Sequence, residues 1–177
     1  VSCDLSASSG TSSDVSCPGY ADGYAIASGG GGTGPYVYNW SNGATTDSIG
    51  GLSGGNYSVG ITDANNCTYT LALPVSEPGV LSLSSTVADV TCNGGSDGTA
   101  TVNATGGTTP YAYSWNTGAT TSSLSGIMAG TYSVTVTDAN ACPNDSLSIT
   151  VSEPAAMGLA FSETTATCGA GGTATVT

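Results

Sequence analysis

The chain has 177 residues, none of them Lys, Arg or His, against 12 acidic groups, for a formal charge of −12. Nothing in it can displace counterions from a phosphate backbone, which excludes nucleic acid as a partner and makes an anionic membrane surface a poor one. The usual general base, phosphate clamp and Schiff-base nucleophile are missing as well, so the chain does not read as an enzyme.

Cys3 comes first and lies outside any repeated pattern. Six cysteines with no CxxC and no His predict disulfides rather than zinc, hence an oxidising compartment outside the cytoplasm. No stretch approaches the length of a membrane span and no charged-then-apolar leader opens the sequence, so it reads as a mature extracellular segment.

Next in the chain, DVSC at 14–17 is answered by DVTC at 89–92, and residues 31–67 align with 106–142 at an offset of 75 with 22 identities in 37 positions. VSEP at 75–78 returns at 151–154, and TATCGAGGTATV at 165–176 echoes DVTCNGGSDGTATV at 89–102 with the loop two residues shorter. Self-similarity at a fixed period signals a tandem array. The predicted units are 1–78, 79–154 and the first part of a third, 155–177.

Alternation with period two marks half-buried strands. In the first unit Tyr24 and Ile26 fall where Thr99 and Thr101 stand in the second, so this strand either presents its other face or slips by one residue. Tyr36, Tyr38 and Trp40, then Tyr111, Tyr113 and Trp115, share one face of a strand, with Ala112 and Ser114 on the other. Tyr132, Val134 and Val136 oppose Ser133, Thr135 and Thr137, and Leu147, Ile149 and Val151 oppose Ser148 and Thr150. About six or seven short strands per unit, broken by Gly-rich turns and without a helical period, predict an all-β fold of tandem immunoglobulin-like antiparallel β-sandwich domains. The Trp belongs on a central strand with the YSV strand opposite it.

The motifs at Val90 to Gly98, Gly106 to Trp115 and Gly130 to Cys142, with counterparts at 15–23, 31–40 and 55–67, resemble the SprB repeats of gliding-motility adhesins and related surface proteins of Bacteroidota. Pro18 replaces the Asn of that pattern, and the third copy lacks the Asp of its D-G pair. The resemblance implies export by the type IX secretion system, display on the cell surface, and a role in gliding or attachment.

Candidate sites follow from the repeated positions. Cys17 to Cys67 and Cys92 to Cys142 are both 50 apart, which predicts the bridges Cys17–Cys67 and Cys92–Cys142 inside each unit. The alternative is that these cysteines lie at opposite ends of the sandwich and bridge neighbouring units; Cys3 and Cys168 have no predicted partner, and an intermolecular bond through either stays open. The Tyr-Tyr-Trp stripes are read as core, against a second reading as a sugar-stacking platform. Asp22, Asp97, Asp63 and Asp138 recur in D-G and D-A-N turns, where carboxylates either bond their own backbone or supply some of the oxygens calcium needs; no cofactor is expected other than calcium in that second case. Asp47-Ser48-Ile49 and Asp145-Ser146-Leu147 are similar to the O-glycosylation sequon of Bacteroidota, which would make Ser48 and Ser146 attachment points. Asn56 and Asn103 head Asn-x-Ser/Thr triplets.

The expected function is a structural repeat segment of an extracellular adhesin or filament, working by spacing, display and attachment. Its partners are then neighbouring repeats or other copies of the chain. The alternative is a polysaccharide-binding module that depends on calcium or on aromatic contacts. A carboxylate-dependent hydrolase would need two acids converging once, whereas these acids recur unit by unit.

Overall fold

The computed structural model describes residues 3–143, 145–158, 161–163 and 174–176; Cys168 lies outside them. The described strands are β1 (Ser6–Ser13), β2 (Gly23–Gly30), β3 (Val37–Trp40), β4 (Ser48–Leu52), β5 (Gly55–Thr62) and β6 (Thr68–Val75), then β7 (Ser82–Ala88), β8 (Gly98–Thr105), β9 (Ala112–Trp115), β10 (Ser123–Ile127), β11 (Gly130–Thr137) and β12 (Asp145–Val151), with a short pair β13 (Phe161–Glu163) and β14 (Ala174–Val176). No helix occurs among the described residues, so none is long and apolar enough to cross a membrane.

The first unit is two three-stranded antiparallel sheets, β1-β2-β4 and β3-β5-β6, and the second repeats them as β7-β8-β10 and β9-β11-β12. This is the A-B-E and C-F-G pairing of an immunoglobulin-like sandwich. Each unit also carries the two aromatic marks of that fold. Trp40 and Trp115 are almost fully buried, but their strands β3 and β9 are edge strands hydrogen-bonded to the YSV strands β5 and β11 in the same sheet, not central strands facing them as the sequence led one to expect. Tyr57 and Tyr132, near the start of β5 and β11, donate their hydroxyls back to the carbonyls of Ser53 (3.1 Å) and Met128 (3.0 Å), the geometry of a tyrosine corner. What the units lack is the inter-sheet disulfide of antibody domains: Ala25 and Ala27 on β2 and Val59 and Ile61 on β5 fill that space with apolar side chains.

Each sandwich has its own core. Trp40, Val59, Ile61, Leu73 and Val75 cluster in the first, and Trp115, Val134, Val136 and Ile149 in the second, with the Tyr pairs Tyr36/Tyr38 and Tyr111/Tyr113 packed half-buried against them. The W-x-x-G-A-T-T sequence is a tight turn shaped to receive the indole. Trp40 Nε1 donates to the Thr46 carbonyl and Trp115 Nε1 to the Thr121 carbonyl, each at 2.8 Å, so a polar N–H is buried without penalty.

Neither expectation for β2 holds: at Tyr24 and Ile26 the strand neither turns its other face inward nor slips, and it presents the same positions to the core as β8. Ser13 pairs with Tyr24 as Ala88 pairs with Thr99, and the two units share this register as far as Ser9; the one-residue shift between Ala7 and Ser9 in unit 1 lies beyond Tyr24 and Ile26. Gly23, Ala25 and Ala27 face the core, and Tyr24 and Ile26 point outward, close to half exposed. Burial here follows the small residues, because the adjacent Trp and Val side chains already fill the interior; the larger Tyr24 and Ile26 are left on the surface.

Candidate functional site

The sulphur pairs differ from the within-unit expectation. Cys17–Cys67 and Cys92–Cys142 do not form; the bridges are Cys3–Cys67 and Cys17–Cys142, with Cα–Cα distances of 5.6 and 5.4 Å, inside the usual range for a disulfide. Cys92 is a free, exposed thiol. The physical reason is that the two cysteines of a unit sit at opposite ends of its sandwich.

At the exit end, the V-x-C loop is laced to the VSEP segment that leaves the unit. Val15 N donates to Ser76 O (3.1 Å), Ser76 N to Asp14 Oδ1 (2.7 Å), and Gly19 N to the Glu77 carboxylate. Asp22 holds the loop shut by accepting from Ser16 N (3.0 Å) and from the Ser16 hydroxyl. The linker residues Ser76 and Glu77 are therefore part of the unit they leave, not a free tether.

At the entry end, the D-A-N-x-C turn folds around its aspartate. Asp63 Oδ1 accepts from Asn65 N and Cys67 N, both at 2.9 Å, and Oδ2 from Thr33 N at 3.0 Å; Asp138 repeats the pattern with Cys142 N and Thr108 N at 2.9 Å. The residue before the cysteine is left-handed in both copies, Asn66 at φ 63° and Ala141 at φ 54°. The GGT motif is fixed by the same end. A Cβ on Gly106 would fall 2.0 Å from the Val80 carbonyl oxygen, and one on Gly31 2.1 Å from that of Asp4, each at positive φ, so only glycine fits.

The exit loop of unit 1 meets the entry turn of unit 2. Cys17 bonds Cys142, and Asn140 Nδ2 donates to the Ser16 carbonyl (2.8 Å) while bridging to Thr108 Oγ1 (3.2 Å). A cavity of about 700 Å³ opens beside this contact, lined with Ser12, Ser13, Asp14, Glu77, Thr108 and Asn140 among others, and with no aromatic ring. In unit 1 the equivalent entry turn receives Cys3 from the lead-in to β1 instead.

The four recurring aspartates thus act as turn clamps. Hydrogen bonds to the charged form hold each carboxyl below the usual aspartate range: the Thr33 N–H first for Asp63, the Thr108 N–H for Asp138, the Ser16 hydroxyl for Asp22 and the Thr91 hydroxyl for Asp97. Among the described residues no three His, Cys, Asp or Glu side chains come together. Asp22 lies at the exit end of its unit and Asp63 at the entry end, so the recurring aspartates are not brought together. Ser48 and Ser146 are exposed, the Ser48 hydroxyl donating to Asp47 Oδ1 (3.0 Å) and Ser146 N to Asp145 Oδ1 (2.9 Å).

Residues 84–120 match the family model of the SprB repeat. Over these residues unit 2 is similar to the SprB repeat. The match runs from β7 through the W-x-x-G-A-T turn, and unit 1 repeats its motifs at an offset of 75. No curated protein matches the chain. Among solved structures it is similar to DIP-gamma IG1+IG2 (15% identity, TM-score 0.47, covering 85% of this chain and 97% of that one) and to Dpr11 IG1 bound to DIP-gamma IG+IG2 (17%, 0.45, 85% and 98%). The amphioxus IgVJ-C2 molecule is similar at 15% identity and a TM-score of 0.37, over 80% of this chain and 96% of that one.

Proposed function

We propose that the chain is a structural repeat segment of an extracellular, cell-surface adhesin or filament, acting by spacing and display rather than by chemistry. The observation that carries this reading is the Cys17–Cys142 bridge, which ties two SprB-type beads together at the same point where the VSEP linker passes between them. Two covalent connections at one junction resist bending and twisting where a single linker would not. Uniform negative charge opposes lateral clumping at low ionic strength, and a chain without Lys or Arg offers no site to trypsin-like proteases. Buried Trp40 and Trp115 serve the core, so the reading needs no aromatic platform for polysaccharide.

In this role the chain is exported by the type IX system, stands outside the cell, contacts neighbouring repeats, and carries glycans at Ser48 and Ser146 on exposed edges. Immunogold labelling of intact cells with antibodies to the folded repeats, together with attachment and gliding assays of a strain lacking the repeats, tests it. Surface label with lost attachment or gliding supports the proposal; label confined to the cell interior, or a deletion that abolishes an enzymatic activity instead, overturns it.

A further inference from the structure

Unit 2 presents the same exit loop as unit 1, built by the same bonds but uncovered. Thr91 N and Oγ1 donate to Asp97 (3.1 and 2.6 Å), Gly94 N to Glu153 Oε2 (2.6 Å), Ser152 N to Asp89 Oδ1 (2.8 Å) and Val90 N to Ser152 O (3.0 Å). Each has its counterpart around Cys17. The difference lies in what covers the loop. Cys17 is 2% exposed and bonded to the next unit, whereas Cys92 is exposed and free. Unit 1 therefore serves as the occupied copy of a surface that stands open on unit 2.

We infer that the Cys92 loop is the docking surface for the repeat that follows, and that Cys92 forms a disulfide with the cysteine of that repeat's D-A-N-x-C turn. The occupant is identified by unit 1, where that turn is what sits on the loop: Asn140 donates to the Ser16 carbonyl, and the matching acceptor on unit 2 is the Thr91 carbonyl. Residues 165–176, which echo 89–102, mark the start of such a repeat. Bond formation joins the two thiols in one S–S bond. Two protons and two electrons pass to a small-molecule or protein disulfide oxidant, which leaves as two thiols.

Linkage then has a direction: each exit cysteine bonds the next entry cysteine. In unit 1 the entry cysteine Cys67 is taken by Cys3. This holds whether or not the array serves in attachment.

The test is peptide mapping of the native protein. Free thiols are alkylated under denaturing, non-reducing conditions, and the chain is cut with Asp-N and chymotrypsin, since trypsin has no site. The Cys92 peptide is expected to be linked to a D-A-N-x-C peptide of the following repeat in the same chain. A Cys92 that is alkylated, bonded to Cys168, or joined to a second copy of the chain overturns the proposal. In the full chain, Cys92→Ser is expected to leave one new alkylatable thiol, on that entry cysteine, with Cys17–Cys142 intact; no new thiol overturns it equally.

Discussion

Cys17 and Cys142 are 125 residues apart in sequence, yet their Cα atoms lie 5.4 Å from one another at the meeting of two sandwiches. On the chain-entropy account a bridge over that interval restricts the unfolded chain by roughly 5 kcal/mol. The bond also does something a within-unit staple could not, because it fixes the angle between two beads. Cys17→Ser is expected to leave both sandwiches folded, to expose a new thiol at Cys142, and to widen the inter-unit distance distribution seen by single-molecule energy transfer. An unchanged distribution would show that Asn140 and the linker hold the junction alone.

Trp115→Ala empties the centre of the second core and removes the N–H that the Thr121 carbonyl receives. Such truncations cost about 3–5 kcal/mol, a large part of a small domain's stability. Denaturant melts are expected to show unit 2 unfolding well before unit 1, with Trp40 fluorescence reporting the survivor.

Ala141 sits at φ 54° where unit 1 has Asn66. A left-handed backbone costs an alanine about 1 kcal/mol relative to glycine and is tolerated by asparagine. Ala141→Gly is expected to raise unit 2 stability by about 0.5–1 kcal/mol, and Ala141→Asn by a smaller amount, measured by urea unfolding.

Gly106→Ala brings a methyl against the Val80 carbonyl at a φ of 74°. Backbone must move to make room, so a loss of about 2 kcal/mol or more is expected, along with the Gly107 N to Gly79 O bond (2.6 Å) that seats the linker. Amide exchange at Gly107 reads the second effect directly.

Acid should unfold the units through their aspartate clamps. The folded carboxyls of Asp63 and Asp138 titrate below the unfolded value of about 3.9. Their contribution is therefore fully present above about pH 4 and is lost as pH falls through the folded value. Without His, stability is expected to be nearly flat from about pH 5.5 to 8. Asp138→Asn should lower unit 2 stability at neutral pH and flatten its acid limb, as followed by circular dichroism.

Much of this was legible in the chain itself. The period-two alternation, the 75-residue repeat and the burial of Trp40 and Trp115 follow from local rules, since a strand turns successive side chains to opposite faces and the largest rings must be buried; that their strands lie at the sheet edges did not. Repetition of the D-A-N-x-C turn announced that its aspartate mattered; the donors Asn65, Cys67 and Cys142 lie within four residues of it, while Thr33 and Thr108 reach it from a loop 30 residues earlier in the chain. The orientation of β2 needed the second sheet, because Ala25 rather than Tyr24 faces inward only once Trp40 and Val59 have taken the space. The sequence offered both sulphur patterns, within a unit or between neighbouring units, and the choice between them needed the tertiary structure for the same kind of reason. A spacing of 50 says how much chain separates Cys17 from Cys67, but not that the four strands between them carry them to opposite ends of a sandwich, within bonding distance of Cys142 and Cys3 instead.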